Sequence, residues 1–511
     1  MNKGLITLKT FLLICFYVFI SNLHGQNIAV FDSTFGINGK ILTDLNNSDD
    51  YGFSVFIQSD DKILLGGATY NGLITQSAIV RYLPNGNIDL GFGNNGFVIT
   101  TIENNYNINS IICQSDAKII AVGMCSNNGN PPKTFTVIRY QSNGQIDSLF
   151  GVNGIVQTNL GNNYDLSRKV VLQTDGRILV MGESHAATGA NYNFGLVRYN
   201  PDGSLDNAFG NQGIVVTELN SDPDFPKDIL LQDDGKILVT GKSSSNSTTV
   251  RYNSNGSLDN TFGVSGIVKT IFGSSSAGEV IAIQPDHKII VAGYVLTNIN
   301  NTNTVIRYNN NGSIDSTFGT NGIVITGNGY YNRTNGIHLF PDGKILLAST
   351  AHLQDWGYFS LLLYNNDGSL VTNFGYNGNK LFDFGYHFDE CYGLGIQSSG
   401  NIIVAGYASN GQSYDFALAR FKGDVIIGNE NLNKPEFLIY PNPTTNFINI
   451  NLSQNYKDAQ LSLLNSLGQE QYSTTFSGKE YKIDVKNMTS GIYVIRIKTG
   501  QHTEYRKVVK N

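Results

Sequence analysis

Two groups of titratable residues have the types and spacing that acid–base chemistry on a sugar or peptide bond would need. Glu183 lies two residues before His185, and His387 is followed closely by Asp389 and Glu390. A histidine beside carboxylates is a common general acid–base pair. However, the sequence has neither H-E-x-x-H nor G-x-S-x-G, so the commonest hydrolase signatures are missing. Each group therefore has two interpretations, a catalytic group or solvated loop residues, and we assign no catalytic residue.

A larger set of aromatic and acidic residues lies in the segments that vary most among the repeats described below. Rings among carboxylates and amides suit sugar or peptide binding, because rings stack and polar groups form directional hydrogen bonds. The alternative is that some of these rings only fill the loops. The candidate binding residues are Tyr51, Tyr106, Tyr164, Tyr330, Tyr331, Trp356, Tyr386, His387 and Asp389.

A third pattern is an arginine followed eight residues later by an aspartate. It occurs as Arg81 and Asp89, Arg139 and Asp147, Arg198 and Asp206, Arg251 and Asp259, and Arg307 and Asp315. A sixth unit has Leu363 and Val371 instead, and Arg420 has no aspartate downstream, whereas Asp32 has no arginine upstream. We predict a structural ion pair in each of the five units that keep both residues, and another between Arg420 and Asp32 through ring closure. Losing one partner of a buried pair costs about 3–5 kcal/mol, whereas an apolar pair of similar volume is often neutral.

These patterns belong to a unit of about 56 residues that recurs seven times. Each unit has an Arg-Tyr step, an Asn-Gly turn and a Phe-Gly step. The Phe-Gly steps begin at Phe35, Phe92, Phe150, Phe209, Phe262, Phe318 and Phe374, at intervals of 53 to 59 residues. A period of this length indicates stacked supersecondary units rather than one large core. One copy, Gly91 to Gly96, resembles the dinucleotide motif G-x-G-x-x-G, but no helix follows and the first glycine does not recur. We therefore predict no cofactor.

Each unit contains four short β-strands. In the second unit the expected strands are Ser110–Gln114, Lys118–Met124, Thr134–Tyr140 and Ile155–Thr158. Four antiparallel strands per unit, over seven units, are typical of a seven-bladed β-propeller, so the fold class is all-β.

The two ends of the repeat region complement each other. The region begins with an isolated fourth strand, Phe35–Leu42, and ends with a third strand, Phe416–Phe421. Joining them would complete the seventh blade and remove an open sheet edge. The N-terminal strand is therefore expected to close the ring.

The repeats, with their Arg-Tyr, Asn-Gly and Phe-Gly steps, resemble the delta-60 repeats of bacterial propeller-like proteins. The resemblance covers residues 30 to 424, within a predicted propeller domain of residues 26–424. It implies a secreted or surface location and supplies no catalytic residues.

The C-terminal region has a different pattern. Residues 425–436 are polar and read as a linker, and residues 437–511 alternate apolar residues with glycine turns, as a small β-sandwich would. Four motifs, Tyr440–Pro443, Leu467–Gly468, Gly491–Tyr493 and the basic end Lys507–Lys510, occur in this region. With them the region resembles a type A sorting domain of the type IX secretion system of the Bacteroidota. The resemblance implies that the secretion machinery is a partner, and that the protein is released or anchored on the outer surface of the outer membrane.

The N-terminus has the pattern of a signal peptide over residues 1–25. Lys3 and Lys9 precede the apolar stretch Phe11–Ile20, which is too short to span a bilayer. We therefore expect no transmembrane segment. The formal net charge of −6 and the lack of a basic cluster argue against nucleic acid as a partner.

Three cysteines, Cys113, Cys125 and Cys391, remain after the signal peptide. An odd number cannot form a complete disulfide framework. Their state is left open between small apolar core residues and one disulfide.

Three functions fit these observations. The first is a secreted or cell-surface monomer, without a metal and without enzymatic activity, that binds a glycan or protein through its variable-loop face. The second is a propeller enzyme, a hydrolase or lyase, acting on polysaccharide. The third is a passive structural protein of the surface.

Overall fold

The computed structural model describes residues 29–510 apart from twelve internal gaps. The gaps are 103–104, 126–133, 162–164, 186–191, 221, 298–299, 328–330, 354–355, 387, 424–436, 466–468 and 500–501. The predicted signal peptide and linker lie outside the described residues, as do Tyr164, Tyr330 and His387. The chain divides into two compact units, Met1–Ile427 and Gly428–Asn511, and every named element in them is a β-strand.

The first unit consists of four-stranded antiparallel sheets, of which the described residues form seven. Sheet one contains β2 (Asp50–Ile57), β3 (Ile63–Tyr70), β4 (Thr75–Tyr82) and β5 (Phe97–Thr100). Sheet two contains β6 (Tyr106–Cys113), β7 (Ile119–Cys125), β8 (Phe135–Tyr140) and β9 (Ile155–Thr158). Sheet three contains β10 (Leu166–Leu172), β11 (Ile178–His185), β12 (Tyr192–Tyr199) and β13 (Ile214–Thr217). Sheet four contains β14 (Asp224–Leu231), β15 (Ile237–Ser243), β16 (Asn246–Tyr252) and β17 (Ile267–Thr270).

The remaining sheets follow the same order, except that the last one uses both ends of the unit. Sheet five contains β18 (Ser275–Ile283), β19 (Ile289–Thr297), β20 (Asn300–Tyr308) and β21 (Ile323–Thr326). Sheet six contains β22 (Tyr331–Leu339), β23 (Ile345–Leu353), β24 (Trp356–Tyr364) and β25 (Asn379–Phe382). Sheet seven contains β26 (Glu390–Ile396), β27 (Ile402–Ser409) and β28 (Tyr414–Phe421), with β1 (Lys40–Thr43) beside β28.

The pairing of β1 with β28 brings the start and end of the repeat region into one sheet. Lys40 lies opposite Ala419 and Thr43 lies opposite Phe416, in antiparallel register. The edge of β28 is therefore covered by β1, which lies near the opposite end of the first unit in the sequence.

The second and third strands of the sheets are mostly buried. In β3 every residue from Ile63 to Thr69 is buried, because both faces of the strand are covered by neighbouring sheets. The Phe-Gly turns require glycine. Gly93 has φ of 55°, and a Cβ there would lie 2.1 Å from the Phe97 carbonyl oxygen.

The arginine of each Arg-Tyr step connects its own sheet to the next one. Arg139 Nε lies 2.7 Å from Asp147 Oδ2, and its guanidinium lies 4.5 Å from the centroid of the Phe150 ring. Arg139 Nη1 also donates to the carbonyl of Pro201, in sheet three, at 2.5 Å. We call this set of three contacts the arginine latch.

The latch recurs at five other junctions. The Arg–Asp distances are 2.8 Å for Arg81 and Asp89, 2.7 Å for Arg198 and Asp206, 2.7 Å for Arg251 and Asp259, 2.7 Å for Arg307 and Asp315, and 2.9 Å for Arg420 and Asp32. The carbonyls that accept from these arginines belong to Ser142, Ser254, Asn310, Asn366 and Pro84 respectively. Since Arg420 is in sheet seven and Pro84 in sheet one, the same contact joins the last sheet to the first.

The tyrosine of the Arg-Tyr step forms a hydrogen bond with the preceding sheet, whereas the arginine contacts the following one. Tyr140 is buried in sheet two, and its hydroxyl oxygen lies 2.9 Å from Thr100 Oγ1 of sheet one. Tyr82 of sheet one reaches Thr43 of β1, in sheet seven, at 2.8 Å. Successive residues of a strand point to opposite faces, so one dipeptide contacts both neighbouring sheets.

The junction between sheets six and seven is apolar instead. Leu363 occupies the arginine position and is fully buried in one cluster with Phe374, and Val371 packs against that cluster. Phe421 replaces the tyrosine, and its ring meets Phe382, which replaces the threonine, at 5.4 Å. Both polar partners are absent together at each site, so no buried charge or hydroxyl is left without its partner.

The second unit is a five-stranded sheet. Its strands are β29 (Phe437–Tyr440), β30 (Phe447–Asn465), β31 (Glu470–Asp484), β32 (Gly491–Thr499) and β33 (His502–Lys510). The first part of β30 pairs with β29 and the second part with β32, while β31 pairs with both parts across register shifts. Residues of both parts, including Ile448 and Leu463, share one core. The predicted sandwich is thus one hydrogen-bonded sheet, and the long strands β30 and β31 run through both of its parts.

None of the three cysteines forms a disulfide bond in the described structure. Cys113 pairs with Ile119 and Cys125 with Tyr106, so the hairpin between β6 and β7 does not place the two thiols opposite each other. Burial raises the pKa of the Cys113 thiol to about 12.

A first prediction concerns Asp147, whose side chain is 1% exposed. Asp147→Ala should lower the free energy of unfolding by about 3–5 kcal/mol, because Arg139 loses its buried carboxylate. Asp116→Ala is the matched control, since Asp116 is 54% exposed and lies 3.6 Å from Lys118; it should cost about 1 kcal/mol or less. The double variant Arg139→Leu with Asp147→Val, which copies sheet six, should recover part of the loss. Equilibrium denaturation measures all three, and equal costs for the two single variants would contradict the latch.

A second prediction concerns acid. Burial disfavours the ionised form of Asp147, but hydrogen bonding to Lys118 and the charge of Arg139 outweigh it, so the pKa is lowered. The pKa values of Asp32, Asp89, Asp259 and Asp315 are lowered too. An unfolded aspartate titrates near about 3.9, so this stabilisation is complete above that pH and is lost as the pH falls through the lower folded values. Stability measured from pH 4 to 2 should therefore fall, and fall less steeply in Asp147→Ala; equal slopes would refute the assignment.

Candidate functional site

Each first strand carries a β-bulge at the same position. In β2 the register shifts between Gly52 and Ser54, and the residue between them, Phe53, has no partner in β3. The corresponding shifts occur in β6, β10, β14, β18, β22 and β26. A bulge redirects its side chain and is frequent next to functional sites.

The seven bulged residues line one cavity of about 220 Å³. They are Phe53, Asn109, Arg168, Lys227, Glu279, Asn335 and Tyr392, one from each sheet. Lys169, Val280 and Arg333 complete the lining. We call this space the central cavity. It is smaller than the roughly 300–1,000 Å³ of pockets for drug-sized ligands, so it fits one unit of a larger ligand.

One side of the central cavity is aromatic. The ring of Phe53 meets that of Tyr392 at 5.1 Å, and Tyr392 stacks with Tyr407 at 5.7 Å. Tyr51 continues the cluster, with its ring 5.0 Å from Tyr407 and 5.6 Å from Tyr414. Sheets one and seven together supply these five rings, which form an aromatic wall.

The other side is charged. Arg168 Nε lies 2.6 Å from Glu183 Oε1, so this arginine already has a carboxylate partner. Lys227 and Arg333 face Glu279, the one carboxylate among the lining residues. Four of the ten lining residues are cationic, so the central cavity has an excess of positive charge in a chain of net charge −6.

Burial and neighbouring charges act against each other at this wall. Burial raises the pKa of Glu279, whereas the nearby Lys227 and Arg333 oppose that rise. Burial lowers the pKa of Lys227, and Glu279 opposes that change. Glu279 Oε2 is buried without a hydrogen-bond partner among the described residues. The wall therefore keeps polar groups desolvated and available to a ligand.

Arg333 connects the two walls. Its guanidinium lies 5.4 Å from the centroid of the Tyr392 ring, and Nη1 donates to the Tyr392 hydroxyl at 3.4 Å. Nearby, His352 Nε2 lies 3.1 Å from Glu390 Oε1, and the His352 ring meets Tyr331 at 5.5 Å. Arg333 also interacts electrostatically with Glu390 and Tyr331, and Tyr331 is half exposed at the surface.

The candidate binding residues from the sequence fall into two classes. Tyr331, Trp356 and Tyr386 are exposed by 48%, 46% and 56%, and Tyr51 belongs to the aromatic wall. Tyr106 is instead fully buried in the core of sheet two, where a ligand at the surface cannot reach it.

Asp389 is also fully buried, and it braces a loop. Asp389 Oδ2 accepts a hydrogen bond from the Phe384 amide at 2.6 Å. Asp50, Asp165 and Asp224 accept in the same way from the amide five residues before them. Burial raises the pKa of Asp389 to about 6. These contacts give Asp389 a structural role that the sequence did not reveal.

The structure describes the two candidate catalytic groups to different extents, because His387 of the second group lies outside the described residues. Glu183 pairs with Arg168 rather than with His185, whose ring meets Tyr192 at 4.8 Å. Glu390 pairs with His352, not with its sequence neighbour Asp389.

Sequence reasoning missed the bulged residues as a set, although a signal was present. Each stands ten residues before the first residue of the second strand, as Phe53 does before Ile63 and Lys227 before Ile237. Aligned across the repeats, this position changes from aromatic to amide to cation to carboxylate. Residues that build the sheets are constant among the repeats. A position that varies as much as the bulged one therefore indicates a candidate ligand site.

Two families match the chain. Residues 438–511 match the secretion system C-terminal sorting domain. Residues 58–92, 173–209, 232–262, 284–318 and 397–424 match a β-propeller family described as a domain of unknown function (DUF5122). No curated protein shows significant sequence similarity to the chain.

Several solved structures resemble the chain weakly. Drosophila semaphorin 1b, extracellular domains 1–2, is 10% identical with a TM-score of 0.42, covering 77% of this chain and 88% of that one. A gluconolactonase from Xanthomonas campestris is 10% identical with a TM-score of 0.32, covering 64% and 95%. A polysaccharide lyase of the ulvan lyase family is 10% identical with a TM-score of 0.37, covering 75% and 96%. These scores are too low to support any inference about function.

The sorting domain indicates export by type IX secretion to the cell surface or extracellular space. No helix in the described part of the chain is long and apolar enough to cross a membrane. The chain is thus an exported protein with five segments that match a β-propeller family of unknown function (DUF5122), followed by a segment that matches the secretion system C-terminal sorting domain.

Proposed function

We propose that the seven sheets are the blades of one closed propeller, and that β1 is the strand that closes it. The pairing of β1 with β28 supports this, as does the contact of Arg420 with the Pro84 carbonyl. The central cavity then lies on the axis, because each blade contributes its first strand to it.

We further propose that the protein binds an acidic glycan without catalysis, with one acidic sugar in the central cavity. The observation that carries this proposal is the lining, in which the rings of Phe53 and Tyr392 share the cavity with four cationic side chains in an otherwise acidic protein. An aromatic ring stacks on the apolar face of a sugar, and lysine and arginine bind its carboxylate. Asn109 and Asn335 supply amides that can bind hydroxyl groups.

The variable-loop face would hold the rest of the glycan. Tyr331, Trp356 and Tyr386 are large exposed rings there, and Tyr331 interacts electrostatically with Arg333 of the cavity lining. Several weak stacking contacts along a chain add to one charged contact at its end, so the affinity is expected to rise with glycan length.

A third prediction tests the cavity with a glucuronic acid oligosaccharide and the matching glucose oligosaccharide. The acidic one should bind more tightly, and the difference should shrink as salt is added. Lys227→Gln should weaken its binding by about 10- to 100-fold, the value of a charged hydrogen bond. Glu279→Gln should strengthen it, because a competing carboxylate is removed. Titration calorimetry measures all four cases.

The control is Lys422→Gln, which removes an exposed lysine outside the cavity lining. It should leave the affinity unchanged. Equal binding of acidic and neutral oligosaccharides, or equal effects of the two lysine variants, would refute the proposal. Shortened oligosaccharides after incubation would replace it with the polysaccharide-degrading enzyme.

A fourth prediction concerns export. A chain ending at Glu436 lacks the matched sorting domain but keeps every strand of the first unit. It should fold and remain in the periplasm, where fractionation and immunoblotting would detect it. Normal appearance of this truncated chain in the medium or on the cell surface would contradict the role of residues 437–511.

A further inference from the structure

We propose that Asp44, Asp50 and Asp415 form a calcium site that fastens the junction between sheets seven and one. One carboxylate oxygen of each residue lies within 4.8 Å of the other two. Calcium binds oxygen at about 2.3–2.6 Å, so two oxygens on one ion are at most about 5 Å apart. The three oxygens therefore fit around a single ion.

The three carboxylates come from the segments that join the ends of the unit. Asp44 follows β1, Asp50 begins β2, and Asp415 is in β28. An ion among them would connect the N-terminal strand to the first and last repeats at once.

The charges of this cluster lack a cationic partner. Asp50 is fully buried and Asp415 is 4% exposed. Among the described residues, none of the three forms an ion pair with lysine, arginine or histidine. Burying carboxylates without a counter-charge is costly, and a bound cation removes that cost.

A buried oxygen in the cluster is also without a partner. Asp50 Oδ2 accepts from the Leu45 amide at 2.5 Å, but Asp50 Oδ1 has no hydrogen-bond partner among the described residues. Asp44 Oδ1 accepts from the Asn47 amide, and both oxygens of Asp415 accept from Asn410 Nδ2. These contacts hold the carboxylates in place, and each oxygen keeps a lone pair for an ion.

The equivalent positions at the other junctions do not carry three carboxylates. Each set below gives the counterparts of Asp44, Asp50 and Asp415, in that order, from the junction of sheets one and two to that of sheets six and seven. The sets are Thr101, Tyr106 and Gln76; Asn159, Asp165 and Thr134; Glu218, Asp224 and Asn193; Ile271, Ser276 and Asn246; Gly327, Asn332 and Thr302; and Asp383, Asp389 and Tyr358. The two junctions with two carboxylates each have a lysine close by: Lys269 Nζ binds the Leu219 carbonyl, and Lys40 Nζ binds the Asp383 carbonyl. The third carboxylate therefore appears where the ring closes and where no lysine compensates it.

The same junction has a less complete latch than the others. Arg420 reaches Asp32 through Nη2 rather than Nε, and its Nε is buried without a partner among the described residues. The latch aspartates of sheets one to five each contact a second cationic side chain; they are Asp89, Asp147, Asp206, Asp259 and Asp315. Within the described chain, Arg420 is the one cationic side chain that pairs with Asp32. Arg420 and Asp415 are five residues apart in β28, so a calcium ion would fasten the other end of the same strand.

Calcium suits this role because the protein is exported. Sites in extracellular proteins bind calcium with dissociation constants of about 10⁻⁴–10⁻³ M, and an ion that binds only the folded state stabilises it. The closed form would therefore gain stability after export into a medium that contains calcium.

The test uses the mature full-length protein, calcium chloride and EDTA. Calorimetric titration should give one calcium ion per chain, and calcium should raise the unfolding temperature relative to EDTA. Asp44→Asn and Asp415→Asn should each weaken calcium binding at least tenfold and remove that rise. Glu218→Gln, the equivalent of Asp44 at the junction of sheets three and four, should change neither.

Two results would overturn the proposal. One is the absence of saturable calcium binding to the wild-type chain at millimolar concentrations. The other is a lower unfolding temperature of Asp415→Asn in EDTA with calcium affinity unchanged, which would limit Asp415 to its hydrogen bonds with Asn410. A calcium site predicts the reverse: in EDTA the variant is at least as stable as the wild type, because one like charge is gone.

Discussion

The two-sided geometry of a β-strand is the constraint on which this structure depends. Adjacent residues of the third strand point to opposite faces, so an arginine and a tyrosine placed next to each other contact different neighbouring sheets. Arg139 reaches forward to the Pro201 carbonyl, and Tyr140 reaches back to Thr100. Repeating this dipeptide fixes the spacing and order of the sheets by polar contacts. Apolar packing alone would not specify one register, since it lacks direction.

The junction of sheets six and seven shows that these polar contacts are replaceable in matched sets. Leu363 and Val371 replace the Arg–Asp ion pair of the other junctions. The Phe421 and Phe382 rings replace the hydrogen-bonded Tyr and Thr hydroxyls. A half-replaced pair would leave a buried charge or hydroxyl unsatisfied, at a cost of several kcal/mol. The chain thus varies the chemistry of a junction by replacing both partners of a polar pair together. The junction of sheets seven and one varies in the opposite direction, toward more charge, with Asp44, Asp50 and Asp415.

Local patterns in the sequence predicted most of the fold, whereas the sites required contacts between distant repeats. The eight-residue spacing of Arg139 and Asp147 lies within one turn region, so the sequence alone could pair them. The Phe150 ring beneath the guanidinium and the Pro201 carbonyl in the next sheet could not be foreseen, because both depend on how sheets pack. Tyr106 was misjudged as a surface candidate because an aromatic residue at the edge of a loop has the same pattern whether it faces solvent or the core. Phe53 and Lys227 were overlooked because their common position is recognisable only after the repeats are aligned on the second strand, and their shared cavity is visible only when the first strands are placed together.

Sheet seven has a consequence for the timing of biosynthesis. β1 pairs with β28, so one of the earliest strands to be synthesised cannot complete its sheet until Phe416 to Phe421 have been made. At about 5–20 residues per second, the ribosome takes roughly 20–75 s to cover that interval. During this time β1 has exposed backbone groups and β2 lacks one neighbouring sheet. The sorting domain begins only sixteen residues after Phe421, so the last strand of the ring and the export signal emerge almost together. The sheet that contains β1 is thus completed only when most of the chain has been synthesised.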